Sequence, residues 1–127
     1  MPLVRIDLRR GKPAEYRKAL AGIVYTAMRE TIDVPENDKF LIMTEHAPEE
    51  LDVAENYLGS TFSNDIVFIQ ITLNAGRSLE KKRALYQRIA GDLAAQLQIR
   101  PDDVFISLVE VAKENWSFGR GIAQYVV

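Results

Sequence analysis

Cysteine is absent from the 127-residue chain, and histidine occurs once. Without cysteine the chain has no disulfide, no thiolate nucleophile and no thiolate metal ligand. The single histidine, His46, has no partner motif around it, and we interpret it as a structural residue. No other residues show the spacing of a metal site. The sequence therefore predicts a protein without a bound metal ion.

The chain also has no long apolar run and no large excess of positive or negative charge. The longest apolar stretches are far shorter than a membrane-spanning helix. Charged residues begin at Arg5, where a secretory signal would need an apolar run. The net charge is −2, and no basic stripe of the kind that binds nucleic acid is present. We expect a cytoplasmic protein, complete from its second residue, that binds neither membranes nor nucleic acid.

Hydrophobic periodicity outlines the first half of the chain. Apolar and polar residues alternate over residues 3–8, which predicts a half-buried strand. Pro13 is suited to the first turn of a helix, and apolar residues at helical spacing continue to about Thr31. Residues 39–43 predict a second strand. Residues 47–64 are acidic and have no clean period, so we expect an exposed, irregular connection with at most short helical or extended pieces.

The second half shows the same order of elements. A strand is predicted over residues 66–73, and Ser78 is suited to cap a helix that runs to about Leu97. Another strand is predicted over residues 104–109. The tail ends in residues 123–127, which are compatible with a short strand.

The two halves are related by an offset of 65 positions, without a gap from residue 3 to residue 46. Nine identities fall in this register: Ile6 with Ile71, Leu8 with Leu73, Gly11 with Gly76, Glu15 with Glu80, Ala19 with Ala84, Leu20 with Leu85, Asp38 with Asp103, Phe40 with Phe105 and Glu45 with Glu110. The sequence therefore predicts one domain over residues 1–127 with two β-α-β copies, at about 2–46 and 66–111, and a C-terminal segment over 112–127.

Each copy is too small to form a stable core alone. Together they predict an α/β fold in which four strands form one sheet and both helices pack on one face. Strands within a copy are expected to be parallel, because a helix crosses between them. The central strands are too apolar for the other sheet face to meet water, so we expect oligomerisation to cover it.

Pro2 is the first candidate for chemistry. Methionine is usually removed before a small residue, which would leave Pro2 as an N-terminal secondary amine. A free α-amino group has a reference pKa of about 7.7–8.0, and apolar or cationic surroundings lower that value. Such an amine can act as a general base near neutral pH. The alternative is that proline merely follows methionine, as in many proteins.

Three segments resemble a known family. Residues 1–3 and the strand after them match that family's start. Residues 34–40 resemble its Val-Pro-x-x-Asp-Arg-Tyr segment, with Lys39 and Phe40 in the last two places. Residues 116–125 resemble its Trp-Ser-Phe-Gly-x-Gly-x-Ala-Gln-Phe segment, with Tyr125 in the last place. The segment over residues 116–125 is long and contains rare residues. On these segments the chain resembles the tautomerase superfamily, and most closely its malonate semialdehyde decarboxylase-like branch.

The resemblance implies a homotrimer that has sites between subunits and uses no cofactor. It implies that Pro2 is the catalytic amine, that Asp38 works beside it through a hydrogen bond or a water, and that Arg77 holds the carboxylate of a small substrate. The aromatic residues that it assigns to the pocket wall are Trp116, Phe118 and Tyr125.

The turn before the second helix departs from the branch pattern. That pattern reads Arg-Pro-Arg, whereas residues 74–77 read Asn-Ala-Gly-Arg, so Arg77 alone is retained. Two guanidiniums can grip a carboxylate and also polarise a neighbouring carbonyl. With one, we favour plain proton transfer on a 2-oxo acid or related carboxylate. Decarboxylation of a 3-oxo acid and hydration-type dehalogenation of a halogenated acrylate are alternatives, as is a non-catalytic trimeric binding or structural protein.

The candidate site residues also have structural interpretations. Asp38 and Asp103 occupy equivalent positions in the repeat, and both suit turns. Arg77 is either a solvated basic residue or an anion-binding one, favoured by the helix N-terminus beside it. Trp116 and Phe118 suit either trimer packing or a pocket wall.

Overall fold

Two β-α-β units follow one another in the computed structural model, which describes residues 1–126. The first unit comprises β1 (Leu3–Arg9), α1 (Ala14–Thr31) and β2 (Leu41–His46). A short hairpin of β3 (Asn56–Tyr57) and β4 (Ser60–Thr61) follows. The second unit comprises β5 (Val67–Asn74), α2 (Leu79–Leu97) and β6 (Val104–Val111).

The four long strands form one sheet in the order β2-β1-β5-β6. Strands β1 and β2 are parallel, as are β5 and β6, while the two central strands β1 and β5 are antiparallel. The expected parallel pairing within each copy is confirmed. Strand ends also follow the 65-residue offset: Arg9 corresponds to Asn74, and His46 corresponds to Val111.

Both helices pack on one face of this sheet, where the core lies. Alternate residues of the central strands point to that face, and Val4, Ile6, Ile69 and Ile71 are at most 1% exposed. The helices contribute fully buried aliphatic side chains from one stripe each: Leu20, Val24, Leu85 and Ile89. Full burial of a large aliphatic side chain stabilises a fold by about 1.5–3 kcal/mol. Because this single core contains side chains from both units, it joins the two units.

The opposite face of the sheet is mixed rather than apolar, which differs from the expectation. Phe68 and Phe105 pack there with ring centroids 5.1 Å apart, and Phe105 is 45% exposed. Arg5, Gln70 and Ser107 lie on the same face and are exposed. A strand alternates its side chains, so the apolar run over 66–73 divides into a core row and a mixed outer row.

The ends of the elements largely match the predictions. Ser78 caps α2, because its hydroxyl accepts a hydrogen bond from the Lys81 N–H at 3.2 Å. Pro13 occupies the position just before α1 rather than its first turn, and it offers no side-chain cap. The connection over 47–64 holds a 3-10 turn over Pro48–Glu50 and the β3–β4 hairpin.

The C-terminal segment differs from its prediction. It contains 3-10 turns over Lys113–Asn115 and Gln124–Val126, and residues 123–126 form no strand. The last residue of the predicted strand, Val127, lies outside the described residues. Within residues 1–126, no helix is long and apolar enough to cross a membrane, and no three acidic or histidine side chains cluster as metal ligands would.

Candidate active site

Four chain segments meet at one edge of the sheet, namely the edge that is formed by strand ends and not by an outer strand. They are the start of β1, the turn that enters β2, the end of β5 and the segment after β6. Strands β1 and β2 begin at this edge, whereas β5 and β6 run the other way and end there. The topology thus brings Pro2, Asp38, Asn74 and Trp116 together from four parts of the chain.

Asp38 holds the N-terminus of the chain. Its Oδ2 pairs with the ammonium group of Met1, and its side chain is 16% exposed. The other oxygen, Oδ1, is buried and has no hydrogen-bond partner among residues 1–126. The Asp38 N–H donates to the Pro35 carbonyl at 3.2 Å, which closes the turn into β2. Pro2 follows Met1 directly and is buried.

Two adjoining depressions lie beside this ion pair. One, of about 300 Å³, is lined by Met1, Pro35, Glu36, Asn37, Asp38, Phe40, Phe118 and Tyr125. The other, of about 280 Å³, is lined by Met1, Pro2, Leu3, Phe40, Trp116, Ser117 and Phe118. Met1, Phe40 and Phe118 line both. The N-terminal residue therefore sits where the two depressions meet.

Trp116, Phe118 and Tyr125 pack against one another beside these depressions. The Trp116 and Phe118 rings are stacked with centroids 5.5 Å apart, and Phe118 meets Tyr125 edge-on at 5.2 Å. Gln124 folds the tail back by accepting from the Phe118 N–H at 2.9 Å and donating to the Gly119 carbonyl at 3.1 Å. Gly119 has φ +112, a left-handed conformation that suits glycine.

Asn74 is a site residue that sequence reasoning did not single out. Its Oδ1 accepts a hydrogen bond from the Trp116 indole N–H at 2.8 Å, and its Nδ2 lies 3.5 Å from the Met1 sulfur. The Tyr125 hydroxyl also contacts that sulfur. The one available signal was its position, since Asn74 begins the turn that departs from the branch pattern.

Arg77 contacts the backbone rather than the depressions. Its Nε donates to the Ile32 carbonyl at 3.1 Å and its Nη1 to the Asn74 carbonyl at 3.3 Å. Ile32 is the residue at the C-terminal end of α1, where a cation is favoured. A guanidinium has five N–H donors, so these two bonds leave others free. Arg77 lines neither depression, although its turn adjoins Asn74.

Asp103, which corresponds to Asp38 in the repeat, is a buried structural residue. It is 0% exposed and accepts from the Ser63 N–H at 2.7 Å, the Ser63 hydroxyl at 2.6 Å and the Arg100 Nη1 at 3.3 Å. Both aspartates thus hold the chain just before a central strand. They differ in their partners: Asp103 accepts from an amide, a hydroxyl and the Arg100 guanidinium, whereas Asp38 pairs with the amine of Met1.

Two remaining titratable residues have contrasting places. Partial burial, and then the negative charge of Asp38, raise the pKa of the Tyr125 phenol above its usual value of 10.0. Tyr125 is therefore a protonated donor at neutral pH. His46 lies at the far end of β2, with its Nε2 2.6 Å from Asp7 Oδ1, and takes no part in this site.

Comparison with known proteins shows the family of the chain. A family model described as "Tautomerase enzyme" matches residues 38–119, and a second model with the same description matches residues 2–60. The chain belongs to the tautomerase family. The probable tautomerase YusQ of Bacillus subtilis (strain 168) is 36% identical over 126 residues, which cover 99% of each chain.

Solved tautomerase-family structures have the same fold. The FG41 malonate semialdehyde decarboxylase inhibited by 3-bromopropiolate is 38% identical with a TM-score of 0.90, covering 98% of this chain and 94% of that one. A malonate semialdehyde decarboxylase solved in wild-type, proline-to-alanine mutant and inactivated forms is 33% identical with a TM-score of 0.90, covering 97% and 95%. A fused 4-OT symmetric trimer is 23% identical with a TM-score of 0.78, covering 94% of each chain, and shows the fold alone.

Proposed function

We propose that the chain is a cofactor-independent tautomerase-type enzyme that uses the N-terminal amine of Pro2, after removal of Met1, on a small 2-oxo acid or related carboxylate. The observation that carries this proposal is the pairing of Asp38 with the N-terminus of the chain beside an aromatic-walled depression. A partly buried carboxylate that pairs with a chain terminus can hold or orient an amine for proton transfer.

Removal of Met1 moves the amine by one residue, which is a step of about 3.8 Å along the backbone. The amine then lies at Pro2, still within reach of Asp38 directly or through one water. Asp38 keeps one free oxygen, Oδ1, for such a contact. The space of the Met1 side chain becomes available to substrate at the same time.

The reaction is a proton transfer between carbon and oxygen. The Pro2 nitrogen takes a proton from the carbon next to the substrate carbonyl, and the C–H electron pair forms the new carbon–carbon double bond. The carbonyl π pair moves to oxygen, which then receives a proton from the protonated amine or from water. Arg77 binds the substrate carboxylate with guanidinium N–H groups that Ile32 and Asn74 leave free.

The test is labelling of the amine with 3-bromopropiolate, the inhibitor named for one relative. We expect one covalent adduct, located on Pro2 by mass spectrometry, and a rate that rises with pH as the amine loses its proton. Arg77→Ala is expected to slow labelling by about 10-fold or more, because a charge-assisted bond to the carboxylate is lost.

Arg83→Ala is the matched control for this test, since Arg83 is exposed on α2 and lies outside the turn over residues 74–77. An intact mass that retains Met1 would contradict the proposal. A labelling rate that depends neither on pH nor on the Arg77 substitution would contradict it as well.

Decarboxylation or hydration is the second candidate. It is favoured by the 33% and 38% identities to malonate semialdehyde decarboxylases over nearly the whole chain. Carbon dioxide release from a 3-oxo acid, or halide release from a halogenated acrylate, would assign this reaction in place of tautomerisation. Absence of turnover with all three substrate classes would favour a binding or structural protein.

We propose further that the chain forms a homotrimer. The exposed apolar residues on the outer sheet face, including Phe105, Ile42 and Val109, would be covered in such an assembly. The likeness of the fold to a trimeric 4-OT structure supports the same arrangement. Sedimentation equilibrium is expected to show three copies of the 14.4 kDa chain. A monomer at micromolar concentration would contradict this assembly.

A further inference from the structure

Two hydrogen-bond donors converge on the sulfur of Met1. Asn74 approaches it with Nδ2, at 3.5 Å, and Tyr125 approaches it with its hydroxyl. A thioether sulfur is a weak acceptor, so neither donor is well satisfied there. A pair of donors aimed at one poorly accepting atom indicates a position suited to a better acceptor.

The orientation of the Asn74 amide follows from Trp116. The indole N–H can only donate, so the amide oxygen of Asn74 faces Trp116, at 2.8 Å, and the NH₂ group faces the depression. The Tyr125 hydroxyl contacts the same sulfur, and it keeps its proton for donation because burial and the charge of Asp38 both raise its pKa. Both groups therefore present hydrogens to the space that the Met1 side chain occupies.

We infer that Asn74 and Tyr125, the donor pair, bind the carbonyl oxygen of the substrate and stabilise the enolate that forms on it. This inference rests on the proposed function, since it requires removal of Met1 and a 2-oxo acid beside Pro2. Donors set in advance around a developing oxyanion stabilise a transition state more than the ground state. The donor pair is distinct from Arg77, which binds the carboxylate.

The donor pair also defines the substrate class. A ligand must carry a carboxylate and, on the adjacent carbon, an oxygen that accepts hydrogen bonds. The donors are neutral, so they suit a carbonyl oxygen that gains charge only during the reaction. The Asn74 side chain, through Trp116, further ties this oxygen site to the aromatic wall.

Two substitutions each remove one donor and keep the structural contacts of the same side chain. Tyr125→Phe removes one hydroxyl and keeps the ring that packs on Phe118. Asn74→Asp keeps an oxygen for the Trp116 indole and replaces the donor with an acceptor. Each is expected to lower kcat/KM for enolisation of a 2-oxo acid by at least about 10-fold, mainly through kcat. Tyr57→Phe, an exposed tyrosine on the β3–β4 hairpin, is the control and is expected to match the unsubstituted protein.

Ligand binding gives a second readout that does not depend on turnover. Trp116 is the only tryptophan in the chain, so its fluorescence reports binding at this site. Oxalate carries a carboxylate and an adjacent oxyanion, whereas propionate carries the carboxylate alone. We expect Tyr125→Phe to weaken oxalate binding about 10-fold and to change propionate binding less than about twofold, because one bond to a charged oxygen is lost.

The outcomes distinguish this inference from the proposed function. A folded Tyr125→Phe protein with unchanged kcat/KM and an unchanged oxalate-to-propionate ratio overturns the donor pair. Absence of enolisation in the unsubstituted protein overturns the proposed function, and the oxalate-to-propionate ratio still tests the donor pair. Should Asn74→Asp not fold, the Tyr125→Phe result decides alone.

Discussion

Replacement of Pro2 by alanine is expected to lower kcat/KM for enolisation of a 2-oxo acid by about 10²–10⁴-fold, the usual contribution of a general base. Alanine leaves a primary amine in a similar place, so some activity is expected to remain. Pro2→Leu goes further, because methionine is retained before a large residue. The nitrogen of residue 2 is then an amide without basicity, and turnover is expected to fall to the uncatalysed rate.

The enolisation rate is measured through the exchange of the substrate proton for deuterium. The intact mass of each protein is recorded as well. Circular dichroism and thermal unfolding serve as controls, since Pro2 is buried and a folding defect would otherwise imitate a loss of catalysis. Turnover in Pro2→Leu at the level of the unsubstituted protein would exclude the amine and leave Asp38 as the base to examine.

The same substitution is expected to lower mainly the activity in the first half of the repeat and mainly the stability in the second. Asp38→Asn is expected to lower kcat/KM by about 10²-fold and to cost about 1 kcal/mol or less in unfolding free energy, since it weakens a partly exposed ion pair. Asp103→Asn is expected to cost about 2–4 kcal/mol, because a fully buried carboxylate with three hydrogen bonds loses its charge and one acceptor oxygen.

Urea denaturation and enolisation rates, measured on both proteins, check this pair. The Asp103→Asn protein that remains folded is expected to keep nearly the full rate per folded molecule. Similar activity losses in both variants, after correction for the folded fraction, would show that Asp38 acts through structure rather than through the amine.

The contrast between the two aspartates has a simple physical origin. Each accepts hydrogen bonds from the chain just before a central strand. Before β5 the chain is continuous, so Asp103 meets an amide and a hydroxyl from Ser63 and serves the fold. Before β1, Asp38 meets the amine of Met1. One repeated contact is thus structural in one half and chemical, by our proposal, in the other.

Much of the fold was predictable because its signals are local. Alternation and helical spacing depend on neighbours within a few residues, and they located four strands and two helices to within about three residues. The 65-residue repeat then implied equivalent units, and helix crossovers implied parallel pairs. The motif over residues 116–125 also predicted a pocket wall of Trp116, Phe118 and Tyr125, and its role toward a substrate stays a prediction.

The contacts of the candidate site depend on which residues, far apart in the chain, the folded sheet brings together. Nothing near Asn74 in the chain indicates that it accepts a bond from Trp116, 42 positions later, or that it faces Met1. Arg77 was assigned to a ligand, and the tertiary structure adds that it contacts the end of α1.

The sequence by itself determined the two β-α-β units, the buried stripe of each element and the place of Pro2 directly before the first strand. Tertiary structure alone decided that Asn74 and Tyr125 point to one atom, the sulfur of Met1. Periodicity is a property of a short segment, whereas a site at a sheet edge is made by side chains that only the folded strand order brings within hydrogen-bond distance.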